Sequence, residues 1–211
     1  MAAVGVLCLA LAAGPASAAD DREPGGRTVL GYDANLRACT TAATQGDVSD
    51  RALGACNAAL GERNIGDNDR VTILVDRGVI HLNRREGDDA IADFNAAIVI
   101  LPRNGEAHLN LGAALVQLHR PGPAVAELTQ ALSLGVSQPH KAYYNRGAAR
   151  EALGDLRGAY EDYTTALEIE PDWGPAEAEV ARFVRSRQER LAGVLNPQGA
   201  GADPPPSQGQ N

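Results

Sequence analysis

The chain has 211 residues, 44% of them apolar, 22% charged and 4% aromatic, with a formal net charge of −8. This length and apolar content support one or two folded units rather than an unstructured chain. An acidic chain whose single lysine is Lys141, with no dense arginine run, is a poor ligand for nucleic acid or an anionic membrane. Alanine is abundant and β-branched residues are few, which favours helix.

Residues 1–18 read as a secretory signal. Val4–Ala13 is an apolar run too short to span a bilayer, and Ala16-Ser17-Ala18 offers the small residues that precede a cleavage site, here before Ala19. No Lys or Arg precedes the run, a departure from the usual signal. The reading places the mature chain in a periplasm or outside the cell, without a transmembrane segment. Removal of the signal takes Cys8 with it and leaves Cys39 and Cys56, an even count suited to an oxidising compartment. Residues 19–32 are expected to form a flexible arm.

From there the chain repeats itself. Gly78, Gly112 and Gly147 are 34 and 35 residues apart, and so are Ala90, Ala124 and Ala159. Phe94, Leu128 and Tyr163 share the spacing, as do Ala97, Ala131 and Ala166. Within each copy apolar residues recur at three- and four-residue intervals, the helical period. Four columns with one period identify a helix–turn–helix repeat. The pattern resembles the tetratricopeptide repeat. Pro102 and Pro171 match that family's terminal proline, whereas the middle copy has Val136 there and reaches Pro139 late. Its inner turn, Arg120-Pro121-Gly122-Pro123, is also unusual, although proline is tolerated at a helix start. A fourth, degenerate copy lies upstream, with Ala52, Cys56 and Ala59 in the second-helix columns and Thr40 in place of the glycine.

The resemblance implies an all-α fold: a right-handed superhelical solenoid of antiparallel helix pairs. It has three full repeats (71–104, 105–139 and 140–173) and one degenerate N-terminal repeat (33–70). A C-terminal capping helix follows at 174–195. The cap is expected to place Val180, Phe183, Val184, Leu191 and Val194 on its packed side and Arg182, Arg185, Arg187 and Arg190 on a solvated one. A basic docking surface for an acidic partner is the alternative for that arginine face. Residues 196–211, rich in Pro, Gly, Gln and Ser, read as a disordered tail, and Pro204-Pro205-Pro206 as a linker in preference to a polyproline ligand.

The repeat register also implies pairings. Gly78 is expected against Ala90, Gly112 against Ala124 and Gly147 against Ala159. Arg77 with Asp93 and Arg146 with Asp162 would form ion pairs within their repeats, half exposed and contributing about 0.5–1 kcal/mol each. The middle copy has Leu111 and Glu127 at those columns. Cys39 falls at the arginine column of the degenerate copy and Cys56 at the bulky one, so the register implies a disulfide. Two buried free thiols are the alternative.

No nucleotide, protease or hydrolase motif occurs, and His81, His108, His119 and His140 fall at unrelated repeat positions, expected on helix surfaces or in loops. The expectation is therefore a protein without catalytic activity, cofactor or metal. By the resemblance, the first helices of the repeats line a concave groove. Its lining would be Thr72, Val75, Asp76, Val79 and Asn83, then Glu106, Leu109, Asn110, Ala113 and Gln117, then Lys141, Tyr144, Asn145, Ala148 and Glu151. Asn110 and Asn145 could grip a guest main chain through donor and acceptor alike; the plainer alternative is that they merely tolerate a solvated helix face. Asn110 and Lys141 match two positions of the family's carboxylate clamp, but Val75, Val79 and Asn145 replace its remaining charged and polar groups. An apolar or helical partner segment, or the chain's own N-terminal arm folding back, suits the groove better. These features point to an exported adaptor of bacterial type that binds a protein or peptide segment. The alternatives are a self-assembling module, with homo-oligomers possible, or a non-catalytic accessory subunit of an envelope enzyme.

Overall fold

A computed structural model of the chain describes residues 30–195. The expected signal at 1–18, the first part of the arm and the tail at 196–211 lie outside the described residues. The described chain is helical throughout: α1 (Leu30–Gln45), α2 (Asp50–Leu60), α3 (Asp67–Asn83), α4 (Gly87–Ile100), α5 (Gly105–Gln117), α6 (Pro121–Leu134), α7 (Pro139–Ala152), α8 (Leu156–Ile169) and α9 (Gly174–Leu195). None of these helices is long and apolar enough to cross a membrane. α1 begins three residues inside the stretch expected to be an arm. No proline stands between Pro24 and Pro102, and Leu36, Cys39 and Ala43 carry the three- and four-residue period.

Helices pair in sequence order, α1 with α2, α3 with α4, α5 with α6 and α7 with α8, and the first helices α1, α3, α5 and α7 also touch one another in succession. Helix starts are set locally. Ser49, Asn104 and Asp155 accept hydrogen bonds from the amides of Ala52, Ala107 and Gly158 at 3.2, 2.8 and 3.0 Å. Prolines open α6 and α7, where a missing N–H costs nothing. The ends of the first helices α1, α3, α5 and α7 share one device. Gly46, Arg85, His119 and Gly154 take left-handed φ values of 69°, 65°, 56° and 83°. After each, an amide reaches back to a carbonyl five residues earlier: Asp47 to Ala42, Glu86 to His81, Arg120 to Leu115 and Asp155 to Arg150. Arg85 and His119 hold this conformation with a Cβ, which costs about 1–2 kcal/mol each. Both are exposed. Arg85→Gly and His119→Gly are therefore expected to raise stability, by up to about 1 kcal/mol each after glycine's entropy cost is subtracted. Urea unfolding of the two variants checks this.

The repeat glycines stand nearest the bulky column. A Cβ on Gly78 would lie 2.5 Å from the Phe94 ring, one on Gly112 2.5 Å from Leu128 Cγ, and one on Gly147 2.9 Å from the Tyr163 ring. Each glycine is thus a seat for the bulky residue of its own repeat, and at Gly147 the Ala159 carbonyl also comes within 3.2 Å. The large side chain needs the space more than the small one does. Phe94, Leu128 and Tyr163 are accordingly buried.

Cys39 and Cys56 are joined by a disulfide, with a Cα–Cα separation of 4.8 Å, in the fully buried core between α1 and α2. Thr40, standing where the other copies have glycine, donates from Oγ1 to Asp76 Oδ2 at 2.6 Å and ties the first repeat to the second.

Arg77 binds both Asp93 oxygens, at 2.8 and 2.6 Å, and Arg146 both Asp162 oxygens, at 3.0 and 2.7 Å. These pairs are more buried than expected: the Asp93 and Asp162 side chains are 8% and 4% exposed. Each arginine also reaches the preceding repeat, Arg77 to Asn57 Oδ1 at 2.6 Å and Arg146 to Thr129 Oγ1 at 3.3 Å. Arg150 adds a third contact to Asp162 at 2.9 Å. In the middle repeat Glu127 pairs instead with His108 Nδ1 at 2.7 Å, and His108 Nε2 faces the Pro102 carbonyl at 3.1 Å. His108 is thus a buried histidine, contrary to the surface reading. His140 lies edge-on to Trp173, with ring centroids 4.9 Å apart, and its pKa is lowered chiefly by burial.

Candidate functional site

Asp76, Asn110 and Asn145 occupy one column of the repeat on the successive first helices α3, α5 and α7. They are 0%, 0% and 1% exposed. The reading of Asn110 and Asn145 as residues of a solvated helix face is therefore corrected: they belong to a buried polar row, because the neighbouring first helices approach closely. Val75, Val79, Leu109, Ala113, Tyr144 and Ala148 are buried beside them. Thr72, Glu106, Gln117 and Lys141 are partly exposed, and Asn83 is exposed.

The polar row is unevenly satisfied. Asp76 accepts from Thr40, and Asn110 Nδ2 donates to the Glu106 carbonyl at 3.0 Å. Asn145 differs: its Nδ2 and Oδ1 are both buried and neither has a hydrogen-bond partner. Leaving such groups unpaired costs about 1–3 kcal/mol each. Glu106, one helical turn before Asn110, accepts from the Ser137 amide through Oε1 at 2.7 Å, while its Oε2 is buried without a partner. Lys141 stands one turn before Asn145. Burial pushes its ammonium pKa down, and the charge of Glu106 pulls it partly back. An amide able to donate and accept, a carboxylate oxygen without a donor and one lysine thus gather where α5 and α7 run side by side.

Two residues assigned to the groove serve the cap instead. Glu151 accepts from Arg182 of α9 at 2.8 and 2.7 Å and from the Tyr163 hydroxyl at 3.3 Å. Tyr144 packs edge-on to Trp173, with centroids 5.0 Å apart, and tilted against Tyr163 at 5.4 Å. Arg182, expected on the solvated face of α9, is held between Glu151 and Glu179. The helix after a last repeat packs as the first helix of another repeat would, so the end of α7 faces α9. Burial, and less strongly Glu151, raises the pKa of the Tyr163 hydroxyl.

Sequence reasoning missed a recess of about 230 Å³ lined by Val116, His119, Pro121, Ala148, Ala149 and Ala152. It lies at the C-terminal ends of α5 and α7. The unusual Arg120–Pro123 turn and the small side chains of α7 were its available signals. At another place His81, Glu86 and Asp89 bring potential ligand atoms within 4.8 Å of one another, but Glu86 is already bound by Arg84 at 2.8 Å and His81 at 2.7 Å.

A family model described as the tetratricopeptide repeat matches residues 140–172, the α7–α8 pair and its flanking turns. The same glycine seat, bulky residue and left-handed inner turn recur in the α3–α4 and α5–α6 pairs. The α7–α8 pair is a tetratricopeptide repeat, and the α3–α4 and α5–α6 pairs are built like it. RNA polymerase II-associated protein 3 of Xenopus tropicalis is 28% identical over 145 residues, which are 65% of this chain and 22% of that protein. The chain thus spans about a fifth of that relative's length. Among solved structures, the first TPR of Spaghetti (RPAP3) bound to the HSP90 peptide SRMEEVD is 26% identical, with a TM-score of 0.54, covering 60% of this chain and 99% of that one. MamA is 24% identical, with a TM-score of 0.59, covering 74% and 88%. At that identity MamA speaks for the solenoid fold alone.

Proposed function

We propose that this tetratricopeptide-repeat protein is a non-catalytic adaptor that holds a segment of another protein against the inner face formed by α3, α5 and α7. The observation that carries this reading is Asn145, a buried carboxamide with neither atom paired, in a row with Asp76 and Asn110. A guest main chain supplies both an N–H and a C=O to such an amide. The solved Spaghetti repeat, similar over 60% of this chain, is bound to a peptide, which supports the same use of the fold here. The apolar neighbours Val75, Val79, Leu109 and Ala113 suit an apolar segment. The row is closed to solvent in this state, so a guest reaches Asn145 only as the inner face opens, and association is expected to be slower than docking onto a ready surface. The Ala16-Ser17-Ala18 signal supports placing the adaptor in a cell envelope.

Photo-crosslinking in cells followed by mass spectrometry tests the reading. The wild-type chain is expected to capture a defined partner segment, and Asn110→Ala with Asn145→Ala to weaken capture about tenfold, equivalent to 1.4 kcal/mol. Undiminished capture by the double variant would remove the inner face from the interaction.

A further inference from the structure

α9 presents a second surface, on the opposite side of the cap from the Arg182–Glu151 contact. Val180, Arg187 and Val194 recur every seven residues, and so do Val184 and Leu191, so these five share one stripe of the helix. The sequence assigned its apolar members to the packed side. The structure corrects this for the C-terminal half: Val184, Leu191 and Val194 are 40%, 52% and 76% exposed. α9 has 22 residues where α8, the helix it packs on, has 14. Beside the stripe, Tyr160, Phe183, Val184, Arg187, Gln188, Arg190 and Leu191 enclose a recess of about 340 Å³. Its apolar wall is aromatic, with Tyr160 and Phe183 tilted against each other at 5.9 Å.

The charges lining the recess have one sign. Arg187 and Arg190 line the recess and no carboxylate does. Glu179 is taken by Arg182, and Glu189 lies roughly opposite Arg187 around the helix. A chain of net charge −8 has here placed two arginines around an exposed apolar hollow. A cap serving only solubility has no need of the hollow.

We propose that this face docks an acidic amphipathic helix of another protein. One large apolar side chain of that helix fills the recess against Tyr160 and Phe183. Two carboxylates, three or four residues apart on the same side, meet Arg187 and Arg190. Two other occupants fit less well. A two-fold pair of copies would bring the arginines of one α9 against those of the other. Residues 196–211 contain no large apolar side chain and one acidic side chain, Asp203. The proposal stands apart from the inner-face reading, since it uses none of the same residues.

A displayed library of random peptides long enough to form a helix, panned on the full chain, tests it. The expected winners combine Leu, Phe or Trp with two Asp or Glu at helical spacing. Their affinity should fall about tenfold (1.4 kcal/mol) on Arg187→Glu with Arg190→Glu, fall likewise on Val194→Asp, weaken with added salt and survive Asn145→Ala. Arg187, Arg190 and Val194 are all exposed, and circular dichroism matching the wild type secures the fold of the variants. Winners that ignore the arginine reversal but are lost with Asn145→Ala would overturn the α9 proposal and leave the inner-face reading standing. No acidic amphipathic winners would overturn the α9 proposal outright. So would sedimentation showing copies that pair and are separated by Val194→Asp.

Discussion

Asp162→Ala is expected to destabilise the protein by about 3 kcal/mol, the lower end of what breaking a buried ion pair costs. The lower end applies because Arg146 and Arg150 keep 13% and 27% of their side-chain surface exposed and recover some hydration when released. The loss is larger than for a surface pair, since Asp162 accepts from two guanidinium nitrogens of Arg146 and a third contact comes from Arg150. Arg146 also holds Thr129 of the preceding repeat, so its release loosens the α6–α7 junction as well. In a solenoid each repeat leans on its neighbours, and an internal break is felt locally first. Urea unfolding followed by Trp173 fluorescence, which reports the cap, should therefore shift more than helix content followed by circular dichroism. Equal and small shifts in both signals, below about 1 kcal/mol, would mean the pair contributes no more than an exposed one.

Replacing both Cys39 and Cys56 by serine should cost about 3 kcal/mol, from the loop-closure entropy restored to the unfolded chain across a sequence separation of 17. Serine hydroxyls buried in place of the sulfurs add to the cost where they find no partner. The first repeat lacks a glycine seat and has no arginine at the column that clasps Asp93 and Asp162 elsewhere. The bridge stands in for both. The loss should therefore appear as early unfolding of α1 and α2, with Thr40 leaving Asp76, while α3 to α9 persist. Hydrogen exchange resolved by segment checks this: protection should fall in residues 34–60 before it falls in residues 67–195. A uniform loss over all helices would show instead that the bridge stabilises the array as a whole.

Much of this architecture was legible in the sequence because repetition is a one-dimensional property. Four columns at one spacing gave the helix pairs, the inner turns and the solenoid before any contact was known. The cysteine and arginine partners followed from the register of antiparallel helices. What the glycines contact did not follow, since a column of small residues says that space is needed and not by which side chain. Phe94, Leu128 and Tyr163 take it because they are the largest groups within reach.

The candidate sites depended on depth, which periodicity does not report. Asn110 and Asn145 read as surface amides because polar side chains on a helix usually face water. Close approach of the first helices carries them inside, and there Asn145 is left without a partner. Glu151 read as a groove residue and Arg182 as a solvated charge on a separate helix; the fold of the cap onto α7 makes them one contact. Val184, Leu191 and Val194 read as packed because apolar spacing marks a face, whatever stands opposite it. Order along the chain thus establishes which helices exist and which way each stripe points. Whether a stripe meets another helix, a guest or water depends on the three-dimensional arrangement of segments distant in sequence, and burial free energy is decided there.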